Sequence, residues 1–525
     1  MKLVKSLLLG SAAGLIAVGG AQAADLPVKA KAVEYVKICS LYGAGFYYIP
    51  GTDTCIKLGG YLRAEVALNS NSVYGTQAGA PASARNRLSN YYTMRAREDL
   101  NIDTRTATEY GVVRTFFDAT FSWTSGGYQG TGSATGATAY TGTLALNTAG
   151  ASPALVGSTI NPTDGGTSGG SLGVYYAFIQ FAGFTMGKAV SQFDAPWTNY
   201  PGNNFDGLVG GSGTVTGVNQ FTYTADFGQG VTASFSAEDV SAYYQAGNLN
   251  LSGAAGLTGI TGAAYGSNAI GGTRSPNLVG TVRVDQAWGL FQASVAAHDN
   301  HVAYYGATED TGHPDDKWGW AVQLALSIKN IPTGAGDTIN VSGVYTDGAT
   351  RYNFQNLAGS AFTMYGSSNI AYASVGAANA PDTVFIGGTT KSQQESVKTW
   401  GFRGAYTHNW DPYWNTSIYG AYAAAQFGSM AKNYLCGPTG VISAVAGVTS
   451  CNPDFNIGQL GIITRWTPVK NLTFSADLVW TNLDQKYSGV VTTTAISGTN
   501  AKPAATYELK DQNSLTLLLR AQRNW

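Results

Sequence analysis

After its first two dozen residues, the 525-residue sequence holds no apolar run approaching the roughly 20 residues that a membrane-spanning helix needs. Charge is also scarce. Asp, Glu, Lys and Arg make up 12% of the chain and the formal net charge is −1, which excludes the basic surface that nucleic acid requires. His298, His301 and His313 share a stretch with Glu309, Asp310, Asp315 and Asp316. They show no recognisable ligand spacing, so they read as solvated loop residues and no metal is expected. The glycine-rich piece GYQGTG at 127–132 precedes no helix and does not make a phosphate-cradling loop. No Ser/His/Asp arrangement or carboxylate dyad stands out. Neither enzymatic chemistry nor a cofactor is expected.

What the sequence has instead is 68 Gly, 31 Tyr, 20 Phe and 11 Trp. Residues 1–23 read as a cleaved export signal, with Lys2 and Lys5, a short apolar run over 7–18, and Ala21-Gln22-Ala23 at the cleavage site. An exported chain without helical spans enters a membrane only as a closed barrel. The four cysteines fall into two local pairs, Cys39/Cys55 and Cys436/Cys451. In an exported chain these read as disulfides, paired by proximity. Each would contribute about 3 kcal/mol on chain-entropy grounds. A metal site is the alternative, but neither pair has CxxC spacing or a neighbouring His. No shift in composition marks a domain boundary, so 24–54 reads as an N-terminal segment and 55–525 as one unit.

Period-2 alternation recurs from residue 56 onward. Over 56–66, Leu58, Leu62, Ala64 and Val66 share one face, and Lys57, Tyr61, Arg63 and Glu65 the other. Over 92–103, Arg95, Arg97, Asp99 and Asp103 oppose Met94, Ala96, Leu100 and Ile102, with Glu98 breaking the apolar face. Over 109–123, Arg114 and Asp118 oppose Val113, Phe117, Phe121 and Trp123. Thirteen further segments follow: 172–181, 184–190, 219–227, 231–238, 278–286, 291–298, 318–329, 339–346, 400–409, 414–427, 457–466, 472–481 and 514–525. Short links alternate strictly with long ones. The long ones are 67–91, 124–171, 191–217, 240–277, 299–317, 347–399, 428–456 and 483–513. This is the layout of an all-β, transmembrane, 16-stranded antiparallel up-and-down β-barrel with its short turns at one end. Tryptophans near strand ends, such as Trp123, Trp318, Trp400, Trp414 and Trp466, fit interfacial girdles. The terminal Trp525, inside an alternating strand, fits a barrel-assembly signal.

Sixteen strands enclose an aqueous channel, so something must narrow it. The third long link carries Phe193, Trp197, Tyr200, Phe205 and Leu208, too many large apolar groups to face water. Pro196 and Pro201 stop it from pairing as a strand. It is expected to fold into the lumen, with Asp194, Trp197, Tyr200, Asn204 and Asp206 at the constriction. Its acids would then face the wall charges Arg63, Arg95, Arg97, Arg114 and Asp118 across a transverse field. The plainer alternative is that each arginine pairs with a wall acid such as Glu65, Asp99 or Asp118. The inserts at 124–171, 240–277 and 347–399 read as surface loops.

The stretches CSLYGAGFYYIPGTDTCIKLGGYLR (39–63) and FDAPWTNYPGNNFDG (193–207), with the ending DQNSLTLLLRAQRNW (511–525), resemble the alphaproteobacterial, Rhizobiales-type outer-membrane general porins. The resemblance covers essentially the whole chain after the export signal. It implies a sixteen-stranded outer-membrane barrel, a homotrimer in lipid, a loop folded into each pore, and a bond between Cys39 and Cys55. The function implied is passive diffusion of ions and small hydrophilic solutes. A solute-selective channel differs only in what lines the eyelet, and a secreted soluble all-β lectin or enzyme is the reading from another class.

Overall fold

The computed structural model describes residues 37–68, 92–125, 171–197, 208–213, 217–240, 245–262, 265–309, 312–354, 361–388, 393–493 and 504–525. The expected export signal and most of the second long link lie outside these residues. Sixteen long strands form the molecule: β1 (Thr54–Leu68), β2 (Tyr92–Thr108), β3 (Gly111–Ser125), β4 (Ser171–Phe181), β5 (Phe184–Ala189), β6 (Val218–Asp226), β7 (Val231–Glu238), β8 (Asn277–Gln286), β9 (Gly289–Asn300), β10 (Lys317–Lys329), β11 (Thr338–Asp347), β12 (Lys398–Asn409), β13 (Trp414–Gln426), β14 (Phe455–Val469), β15 (Leu472–Gln485) and β16 (Gln512–Asn524). Each pairs antiparallel with the next. β16 returns to β1, with Ala521 opposite Ala64, so the sheet closes.

The period-2 pattern is the cause of this arrangement. On β10, Trp318, Trp320 and Leu324 are exposed, while Gly319, Ala321, Gln323 and Ala325 are buried. Apolar groups therefore point outward and small or polar ones inward, the reverse of a soluble protein and the form that hydrocarbon demands. Exposed tryptophans gather near the short turns (Trp410, Trp414, Trp466) and toward the other end (Trp123, Trp318, Trp320, Trp400). The short turns use local chemistry. Ala182 and Gly183, between β4 and β5, have φ of 49° and 87°, the two left-handed residues of a type I′ hairpin.

Two parts go beyond what periodicity suggests. β16 ends opposite Tyr61, whereas β1 continues back to Thr54 paired with β2, so the β1–β2–β3 edge projects past the barrel at the short-turn end. The Cys39–Cys55 bridge fastens the N-terminal segment there, with the Arg105 guanidinium 4.9 Å from the Phe46 ring. At the opposite end, the fourth and sixth long links correct the expectation of open surface loops. With the seventh and eighth they build a folded cap containing two small sheets, 248–250/267–268/383–385/395–396 and 361–366/373–379/448–450/488–493/505–509. Its apolar centre includes Leu251, Ile260, Tyr265, Val375, Phe427 and Leu435, and the Cys436–Cys451 bridge lies beside it.

Candidate functional site

The third long link is the element that shapes the interior. Its first arm leaves β5 and lies against the inner face of the wall. The Ser191 hydroxyl donates to Glu238 Oε2 at 2.6 Å, and the Gln192 N–H donates to Glu238 Oε1 at 2.9 Å. Thr281 Oγ1 on β8 donates to the Gln192 carbonyl at 2.7 Å. Gln323 on β10 donates to the Phe193 carbonyl at 2.9 Å, and Gln292 on β9 to the Asp194 carbonyl at 2.9 Å. The Phe193 ring, fully buried, packs among Val218, Val279, Ala296, Ala321 and Val344, all inward positions of β6 and β8–β11.

The other arm, 208–213, lies farther round the wall. The Val209 N–H donates to Gln459 Oε1 on β14 at 2.9 Å, and Arg403 Nη2 on β12 donates to the Ser212 carbonyl at 2.6 Å. Leu208 and Val209 pack with inward Ala405, Tyr419, Ala421 and Ile457, and Trp197 joins the same cluster. The link thus covers the inner face from β8 to β14. In a closed ring of sixteen strands, β11 lies opposite β3. The strands β16, β1, β2 and β3 therefore form the wall that faces the two described arms.

That facing wall carries the charge. Glu65 on β1, its side chain fully buried, accepts from Arg95 on β2 and from Arg520 Nε on β16, the latter at 2.7 Å. Arg63 Nε donates to Gln522 Oε1 at 2.8 Å, and Arg97 Nε to Ser122 Oγ at 2.8 Å. The Asp99 and Asp118 carboxyl groups lie within hydrogen-bonding reach of each other. Asp103 accepts from both Arg114 and Arg105, each pair closing at 3.0 Å.

The residues singled out in the sequence thus separate. Arg63, Arg95 and Arg97 gather with Arg520 around Glu65. Arg114 joins Arg105 on the projecting edge instead. Arg95 and Arg114 pair with the wall acids Glu65 and Asp103, whereas Arg63 and Arg97 bond the neutral Gln522 and Ser122. Asp194 is only 1% exposed and sits at the root of the link, electrostatically close to Tyr176 and Glu238. Tyr200, Asn204 and Asp206 lie outside the described residues. Arg520, Glu238 and the row of wall glutamines were missed. The final strand's own alternation, which sets Arg520 and Gln522 between outward Leu519 and Ala521, was the available signal.

The sequence profile described as the Porin subfamily matches residues 25–518. Porin Omp2b of Brucella suis biovar 1 (strain 1330) is 33% identical over 238 residues, which are 45% of this chain and 54% of that protein. Porin Omp2a of Brucella melitensis biotype 1 is 34% identical over 238 residues, 45% of this chain and 56% of that protein. The matched stretch spans about half the length of these curated relatives. Among solved structures, the outer membrane channel DcaP of Acinetobacter baumannii superimposes with a TM-score of 0.53. It covers 91% of this chain and 99% of its own at 14% identity, which is a likeness of fold.

Proposed function

The chain belongs to the Porin subfamily, and from that premise we propose that it forms a water-filled channel through the outer membrane for passive diffusion of ions and small hydrophilic solutes. The observation that carries this reading is a closed barrel whose inner face is polar and holds both described arms of its own third link against one side. The passage that remains runs past Arg63, Arg95, Arg97, Arg520 and Glu65. The third link is its constriction, and Trp197 anchors it to the wall. Fixed charges along such a passage set ion preference without any covalent step. In planar bilayers the purified, folded protein is expected to give stepwise, ohmic conductance. Folded protein that never conducts would overturn the channel.

The channel works as a homotrimer in outer-membrane lipid. Support comes from the outer surface of β15, β16, β1, β2 and β3. Cross-strand register sets Phe474, Ala521, Ala64, Ala96 and Trp123 in one row, a floor of three alanines between aromatic walls. Nearby, Glu98 occupies an outward position between Leu62 and Phe121. A carboxyl facing hydrocarbon is costly, and a neighbouring copy would cover it. Ala64→Trp would fill the alanine floor. The variant is expected to run as monomer on unheated gels where the parent runs as trimer. Unchanged migration would rule out this face as the contact.

A further inference from the structure

The third link does not hold its place by wall contacts alone. A short turn of the sixth link, Arg351–Phe354, reaches down from the cap into the barrel and touches both of its arms. All four side chains of this turn are buried, Tyr352 and Asn353 completely. The Tyr352 ring lies 4.4 Å from the Phe193 ring on the first arm. Its hydroxyl accepts from Asn277 Nδ2 on β8 at 2.8 Å. On the second arm, the Gly210 N–H is shared between the backbone carbonyl of Asn353 at 3.1 Å and Asn353 Oδ1 at 3.0 Å. Asn353 Nδ2 donates in turn to Thr399 Oγ1 on β12 at 3.0 Å.

Two glycines make this three-way contact feasible. Gly210 has a φ of +83°, and a Cβ there would meet the Phe402 carbonyl oxygen at 2.4 Å. A Cβ on Gly401 of β12 would meet Asn353 Oδ1 at 2.5 Å and the Gly210 Cα at 2.9 Å. Link, turn and wall therefore close on one point with no room for a methyl group. The turn is itself tied to the cap. Asp382, beside the small-sheet strand 383–385, accepts from the Thr350 N–H at 2.6 Å and the Thr350 hydroxyl at 3.0 Å through Oδ1. Its Oδ2 accepts from the Ala246 N–H of the fourth link at 2.8 Å.

We propose that Tyr352 and Asn353 are positioning residues for the constriction, a clamp by which the external cap fixes both arms of the third link and so sets the width of the passage. The inference rests on the channel reading and on the third link being its constriction. The clamp acts through the link, because Tyr352 and Asn353 are buried beneath it and do not meet solute. Its loss is a loss of position and leaves the charge on the facing wall as it was.

Single-channel recording of Tyr352→Ala and Asn353→Ala tests this, with Gly401→Ala perturbing the same point from the wall. Each is expected to keep the parent's heat-modifiable gel shift. Open-channel current noise should rise several-fold, with excursions to conductances above the parent level. A merely structural role would lower the heat-shift temperature without adding noise. If either turn variant fails to assemble, Gly401→Ala is read by the same criterion. Parental noise and conductance in the assembled variants would overturn the clamp. Deletion of Asn199–Gly207, recorded in parallel, separates the two ideas. If the deletion widens the channel while the clamp variants stay quiet, the clamp falls and the constriction stands. If neither changes the current, both fall.

Discussion

Deleting Asn199–Gly207 is expected to raise single-channel conductance more than any substitution in the barrel wall. The reason lies in how the link is anchored. Its first arm is held by Glu238, Thr281, Gln292 and Gln323, and its second by Gln459 and Arg403. Trp197 packs against the same extended apolar cluster that holds Leu208, so anchors remain on both sides of the deletion. Rejoining the ends removes the intervening segment, with Tyr200, Asn204 and Asp206, while both arms stay seated. Conductance in symmetric salt is the measurement. An unchanged value would show that the narrowest point lies elsewhere, with the cap the next region to test.

Glu65→Gln should have the second large effect, on stability and on selectivity together. The Glu65 carboxylate, with no side-chain exposure, bonds Arg95 and Arg520, and Arg63 and Arg97 stand close enough to act on it. Glutamine has nearly the same volume, so the change leaves no cavity. It does leave buried guanidinium groups without their counter-charge, a loss of about 3–5 kcal/mol where one partner of a buried pair is removed. The temperature of the heat-modifiable gel shift should fall clearly. The passage also loses one negative charge, so the reversal potential in a salt gradient should move toward anion preference. Parental stability would mean that water already screens this cluster and that the pair counts for little.

Much of the barrel was legible because its physics is local. A strand with lipid on one face and water on the other must alternate, and the Trp318–Ile328 stripe on β10 shows this without any long-range information. The third link was legible for a related reason, since Phe193, Trp197 and Leu208 could not stay in water. The same reasoning applied to 347–399 would have found Tyr352, Phe354, Met364 and Phe385, all of which turn out buried. That insert reads as a surface loop because glycine, serine and alanine dilute its apolar residues. The partners of individual charges were not legible. Whether Arg97 meets Asp99 or Ser122 depends on cross-strand register and tilt, which alternation leaves undetermined. That Asp194 sits buried at the root of the link follows from the link's folded path, which its neighbours in the sequence do not determine.

Both described arms of the third link stand against the inner face from β8 to β14, so in the proposed channel solutes would pass beside the β16–β3 wall, whose outer surface carries the alanine row and Glu98. If copies meet across that surface, neighbouring passages stand back to back, separated by two sheet walls. Packed sheets lie about 10 Å apart and each arginine cluster stands on the far side of its own wall, so the clusters of adjacent pores are separated by more than about 10 Å. At physiological ionic strength the screening length is about 8 Å, and each pore would be electrically blind to the next. At about 0.01 M salt the screening length grows to about 30 Å and spans both walls. Three equal, additive current steps at ordinary salt would then become unequal on dilution, each open pore altering the field in which the next one opens.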